Sequence, residues 1–263
     1  MLGKLLKYDL KWIYKVIVVF YILALFFSII GRLLSNIENS VIFKVVTQIT
    51  FGFAIAMMVS SLINCFMRLW ARFIRNLYKD ESYLTHTLPV EKKTIFAAKV
   101  LAAAITVFST AVIIIICLFI CYYSKENLQV LKSTLELAAS TYDTTVINLL
   151  LLVAGVFFLE VMFMILIGYI GIILGYKSNK NKILRTLVIG FGLYILTQII
   201  TLSIVFIFGL FNSNIMNLIN TTDIINIDTI KLLMLAGIGI YIIYIVFYYF
   251  LGNESLKKGV NVE

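Results

Sequence analysis

The sequence predicts an all-α fold, a polytopic helical membrane protein with six transmembrane helices and both termini cytoplasmic. Three observations carry this. Of 263 residues, 62% are hydrophobic and only 13% charged, against about 45–50% and about 25% in soluble domains. The apolar residues fall in six long runs. Lysine and arginine are confined almost entirely to alternate gaps between those runs. The apolar bias excludes a disordered chain, and a single proline argues against a turn-rich β protein. Outer-membrane barrels need short alternating strands, whereas these runs are continuous.

A bilayer core of about 30 Å takes about 20 apolar helical residues. The runs lie near Val16–Leu34, Val41–Met67, Ile95–Tyr122, Val146–Tyr176, Leu187–Phe211 and Leu232–Leu251. The first is too long for a cleavable leader, and no small-residue cleavage site follows it, so it is expected to be a retained span. Seventeen of the 22 Lys and Arg residues fall on one side: the N-terminal tail, the segment from Arg68 to Lys99, the link Lys177–Arg185 and the C-terminal tail. By the positive-inside rule that side is cytoplasmic. The net charge of +9 is explained by this topology, and no nucleic-acid partner is expected. No stretch between the runs is long enough to build a second core. The whole chain, 1–263, is expected to be one transmembrane domain, with a cytoplasmic tail at 252–263.

The polar segments are read in order. Residues 1–15 form an amphipathic helix, with Lys4, Lys7, Lys11 and Lys15 on one side and Leu2, Leu6, Leu10 and Ile13 on the other. Such a helix lies in the membrane interface with its basic face toward anionic headgroups. Segment 68–94 is too polar to span and too aromatic for a slack loop. Arg68, Arg72 and Arg75 form a basic stripe on an extension of the second span. Tyr83, Leu84 and Leu88 suit a short amphipathic helix along the membrane. Pro89, the only proline, disfavours helical geometry at Leu88, and a new helix starts around Glu91–Thr94. Aromatic and aliphatic anchors with a polar rim suit a docking surface; a solvated positive-inside loop is the plain alternative. Segment 123–145 is read as an external helix, with Leu128, Leu131, Leu135 and Ala138 at helical spacing. Segment 212–230, rich in Asn and Thr, has no functional reading beyond a bare glycosylation sequon at Asn220-Thr221-Thr222.

Inside the spans, Glu160 stands out. An ionisable group at bilayer depth should face the bundle interior, a wet cavity or a partner, so Glu160 is a cargo-path candidate; a protonated, hydrogen-bonded structural Glu is the alternative. Gly171 and Gly175 permit close helix approach, and Gly190, Gly192, Gly237 and Gly239 suit the same role. Cys65, Cys117 and Cys121 lie in apolar runs without the further ligands a metal site wants and are expected to pack as small apolar residues. His86 is the only histidine, in the cytoplasmic segment. No phosphate-loop, zinc-protease or serine-hydrolase motif occurs, so no catalytic residue and no bound cofactor are expected in this chain.

The basic N-terminal helix, six spans, inward termini and structured segment between spans two and three resemble ABC-2-type transporter permeases, with their type V exporter-like architecture. The string Asn76-Leu-Tyr-Lys-Asp-Glu-Ser-Tyr-Leu-Thr-His-Thr-Leu-Pro-Val90 is similar to a stretch common in such permeases from low-GC Gram-positive bacteria. The resemblance covers the layout of the whole chain and is specific in sequence over residues 68–93. It implies that this segment is a coupling helix docked on a cytoplasmic ABC ATPase dimer. Arg75, Lys79, Asp80, Glu81, Tyr83, Leu84 and Pro89 become the ATPase-coupling residues, and residues 2–15 the connecting helix. It also implies a second permease subunit, identical or not, with ATP and Mg held in the partner subunit. The cargo would be a hydrophobic or amphipathic peptide, antibiotic or lipid-like molecule, moved outward across the cytoplasmic membrane. An ion-coupled secondary transporter, a membrane-embedded enzyme and a non-transporting immunity or sensor protein are the competing readings.

Overall fold

The computed structural model describes residues 1–37, 40–178, 180–212, 215–216 and 227–257, with the side chains of 227 and 228 excepted. Among the described residues the protein is all-α, with eight helices: α1 (Leu2–Ser35), α2 (Val41–Tyr78), α3 (Ser82–Thr87), α4 (Lys92–Tyr122), α5 (Lys125–Thr141), α6 (Val146–Gly175), α7 (Lys182–Phe211) and α8 (Ile227–Lys257). Six of them, all but α3 and α5, are long and apolar enough to cross a membrane. The chain is thus a multi-pass helical membrane protein.

Its described residues divide into two compact units, one within 1–131 and the other within 132–257. In the first unit α1 packs along both α2 and α4, α2 also meets α4, and α3 rests on α2. The buried stripe of α1 runs Asp9, Ile13, Ile17, Tyr21, Ala24, Ser28 and Gly31 without a break in helical spacing. Helices in lipid gain nothing from moving apolar surface between tails and neighbours, so small residues that let backbones approach are favoured. The interior here follows that rule. Ala24, Ala54, Met58, Cys117 and Cys121 form one packed cluster, and all three cysteines are free and buried. A Cβ at Gly31 would stand 2.6 Å from the Phe51 ring. Hydroxyls stitch α1 to α4: Tyr14 meets Ser109 at 2.6 Å and Tyr21 meets Thr110 at 2.6 Å.

Residues 1–15, expected as an amphipathic connecting helix, are not a separate element. They are the first turns of one 34-residue helix, with no break before the span. At about 1.5 Å per residue α1 is about 50 Å long, well beyond the about 30 Å hydrocarbon core. The amphipathy was read correctly, since Lys4, Lys7, Lys11 and Lys15 are exposed and Ile13 is buried. On the apolar face Ile13 is buried, while Leu2, Leu6 and Leu10 are half-buried. The C-terminal tail is likewise helical as far as Lys257, because Asn253, Ser255 and Leu256 are buried; residues 258–263 lie outside those described. So do most of segment 212–230 and its sequon.

In the second unit α6 packs against both α7 and α8. The α6–α7 seam is made by glycine. A Cβ at Gly171 would come within 3.0 Å of the Gly190 Cα, and one at Gly175 within 2.7 Å of the Thr186 Cα and N. Gly192, Gly237 and Gly239, expected to serve the same purpose, have nothing within 4 Å of such a Cβ. The α6–α8 seam is aromatic: Phe163 meets the rings of Tyr241, Tyr244 and Tyr248 at 5.6–6.0 Å. Across to α7, Tyr248 and Tyr244 hydroxyls meet Thr197 and Thr201 at 2.9 and 3.0 Å.

Gly175→Ala is expected to destabilise the protein by about 1–3 kcal/mol, the usual cost of forcing extra atoms into a packed seam. Gly239→Ala should be neutral or slightly stabilising. The readout is the temperature at which half the detergent-solubilised protein leaves its monodisperse chromatographic peak. Equal midpoints for the two variants would contradict the glycine seam.

Candidate functional site

The 68–94 segment is ordered by a cluster of charges that sequence reading did not assemble. Asp9 of α1 is only 3% exposed. Its Oδ1 accepts from Arg72 Nε of α2 at 2.7 Å, and Lys99 Nζ of α4 donates to Oδ1 and Oδ2 at 2.7 and 2.8 Å. Arg72 continues outward, its Nη1 donating to Glu81 Oε2 at 2.5 Å. Asn76 Nδ2 donates to Glu81 Oε2 at 3.3 Å and to Thr85 Oγ1 at 2.9 Å. A relay of charge thus joins α1, α2 and α4 to Glu81, the residue that caps the N-terminus of α3. Trp12 of α1 lies beneath two guanidinium groups, with Arg68 at 4.5 Å and Arg72 at 5.6 Å from its ring centroid. The Arg68 Nε is buried without a hydrogen-bond partner.

The three arginines therefore do not form the uniform basic stripe that their spacing predicts. Arg72 turns inward and is buried, Arg68 stacks on Trp12, and Arg75 faces out. Arg75 Nε lies 3.5 Å from Asp80 Oδ2 and 3.4 Å from Glu81 Oε1. These outer pairs are exposed and contribute little on their own. The buried set is different: a desolvated charge requires its partner, and removing one member costs about 3–5 kcal/mol.

Of the residues predicted for coupling, Arg75, Asp80 and Glu81 are brought together. Lys79 is exposed at the end of α2 and Pro89 is exposed beyond α3. Tyr83 and Leu84 project from α3 with 76% and 67% of their surface uncovered. Their neighbours Ser82 and Thr85 are buried, so α3 has one face fixed on α2 and one presented outward. His86 Nε2 lies 3.1 Å from the Leu77 carbonyl and adds a second tie to α2. Leu88 is extended, with ψ 136°, and α4 begins at Lys92 behind the Glu91 cap. Pro89 thus terminates α3 as expected. Glu160 lies apart from all of these, half-buried in the middle of α6.

Asp9, Trp12 and Lys99 were missed as site residues. A signal for Asp9 exists: it falls in phase with the buried stripe that continues through Ile13 and Ile17, so the one acid of the N-terminal segment sits on its covered face. No rule of spacing joins it to Arg72 and Lys99, which are 63 and 90 residues away.

Asp9→Asn is expected to lower the melting temperature clearly, since it leaves Arg72 and Lys99 close together without their shared carboxylate. The double variant Asp9→Leu with Lys99→Met removes one charge of each sign, keeps the Arg72–Glu81 pair, and should recover most of the loss. A thiol-reactive dye reads both, because Cys65, Cys117 and Cys121 are buried in the same unit. A wild-type melting curve for Asp9→Asn would show that the cluster does not hold this unit together.

No protein-family model, curated protein or solved structure matches this chain.

Proposed function

We propose that this chain is the membrane-spanning permease subunit of an ABC exporter for hydrophobic or amphipathic cargo, driven by ATP hydrolysed in a separate cytoplasmic ATPase. One observation carries the reading. A six-residue helix presents Tyr83 and Leu84 outward while its N-terminal cap is tied by buried charge to three membrane-spanning helices. A loop whose only task is to keep charge on one side of the membrane needs no such fixation. A docking element does, because force applied to a slack segment is lost in that segment.

The sequence of contacts supplies a mechanical path. A partner closing on α3 displaces Glu81; Glu81 is bound to Arg72, Arg72 to Asp9, and Asp9 to Lys99. Displacement is thereby delivered to α2, α1 and α4 together. Nucleotide binding shifts the permease only insofar as the ATPase contacts α3 differently in its two states. In this reading Arg75, Lys79 and Asp80 form the charged rim of the docking face and Pro89 fixes its trailing end. The lysine- and arginine-rich side faces the cytoplasm of a bacterial inner membrane. Two such permease subunits pair with two ATPases, and ATP and Mg stay in the partner.

Affinity purification from native cells in gentle detergent, followed by mass spectrometry, tests this. A soluble ATPase with a phosphate loop should copurify with the wild-type chain and be lost with Tyr83→Ala/Leu84→Ala, while membrane insertion is unchanged. Recovery of this chain alone across several mild detergents would contradict the ABC reading and favour ion-coupled transport.

A further inference from the structure

We infer that the second unit carries a binding site for a hydrophobic cation, formed by Glu160 of α6 and Tyr241 of α8. The inference rests on the export reading only in taking such a cation as a feature of the cargo.

The placement is fixed by neighbours. Glu160 lies one helical turn before Phe163, and Phe163 meets the Tyr241 ring at 5.6 Å, inclined at 66°. Glu160 and Tyr241 thus both flank Phe163, near the middle of a 30-residue apolar helix. Among the described residues, neither of the two has a hydrogen bond or ion pair. Adjacent tyrosines behave differently. Tyr244 and Tyr248 spend their hydroxyls on Thr201 and Thr197, as buried polar groups ordinarily do.

Among the described residues of α6, α7 and α8, no Lys or Arg lies at the level of Glu160. α6 contains no Lys or Arg. α7 has Lys182 and Arg185 only in its first turns, and α8 has Lys231 and Lys257 only near its ends. A carboxylate at that depth needs a positive partner, and a cationic ligand would bring one. Aromatic faces beside a carboxylate favour a large, weakly hydrated cation, which gains from the ring quadrupoles while shedding little water. Apolar substituents on that cation would find Phe163 and the surrounding aliphatic side chains. The ligand class is thus an amphiphile bearing an ammonium, phosphonium or guanidinium centre.

Tetraphenylphosphonium is the probe, with tetraphenylborate as the anion of the same shape. Binding is measured by equilibrium dialysis against the purified chain in phosphatidylcholine nanodiscs, above that of empty nanodiscs. The cation should bind at least about tenfold more weakly to Glu160→Gln and to Tyr241→Leu, and with unchanged affinity to Tyr241→Phe, which keeps the ring face. In the unaltered protein, dicyclohexylcarbodiimide should label the Glu160 peptide as an N-acylurea, and tetraphenylphosphonium, not tetraphenylborate, should protect it. Equal cation binding by Glu160→Gln, equal specific binding of the anion, or labelling that the cation does not slow would each overturn the site. No ATPase or nucleotide takes part, so failure here leaves the coupling assignment standing, and failure of the copurification leaves this result standing.

Discussion

The carboxylate of Asp9, held between Arg72 and Lys99, is the constraint on which the first unit depends. Lys99 is 3% exposed and Arg72 7%. Neither cation could be withdrawn from water at that level without an anion between them, since desolvation costs several kcal/mol per ion. The anion comes from the chain's ninth residue. The N-terminal turns of α1 must therefore stand against α2 and α4, and cannot lie free on the membrane. Arg72, fixed on one side by Asp9, presents its other nitrogen to Glu81 and so sets where α3 begins. A buried ionic group of this kind adds less net stability than an apolar one of equal volume, but it admits few alternative arrangements. Registry of α3 relative to three spans is what it supplies.

Below the charged level the two units solve helix packing in different ways. In the first, alanine, serine, threonine and cysteine line α1, α2 and α4, and backbones approach closely over a long contact. In the second, a glycine seam draws α7 onto α6 while a ladder of tyrosines spaces α8 away from it. The tyrosine rings bring hydroxyls into the interior, and threonines on α7 absorb two of them. Packing by tall aromatic side chains leaves polar atoms that must be paired with something.

Much of the fold was legible because it follows from run length and periodicity. Six apolar runs gave six helices, the arginine spacing gave the extension of α2, and Pro89 marked the end of α3. Gly171, Gly175 and Gly190 pointed to a close seam, and the structure adds Thr186 as the surface that Gly175 admits. Other features were not legible because they depend on which residues meet. Lys4, Lys7, Lys11 and Lys15 announced an amphipathic helix correctly, yet amphipathy is the same whether the apolar face covers lipid or protein. Arg68, Arg72 and Arg75 look alike in a spacing diagram, and only the position of Asp9 and Trp12 separates them. Lys99 could be counted toward orientation without any hint that it is buried. The candidate coupling residues were found as a segment, while the ion relay that positions them spans 90 residues of sequence and has no local signature.

A membrane protein retains charge inside its apolar region only where the charge is compensated or used. The two units fall on opposite sides of that distinction. In the first, Asp9, Arg72, Lys99 and Glu81 compensate one another through short, direct bonds, and the arrangement needs no further component to be complete. In the second, Glu160 stands among aromatic rings with no cation on its own helix and none near its level on α7 or α8. If its role were only to stabilise packing, a glutamine or leucine would serve with less desolvation, and Thr197 and Thr201 show that neutral partners for polar groups were accessible on α7. An acid in an aromatic setting without an internal cation gains a partner when a cationic ligand arrives. A difference of that kind between the empty and occupied states is what a binding site requires.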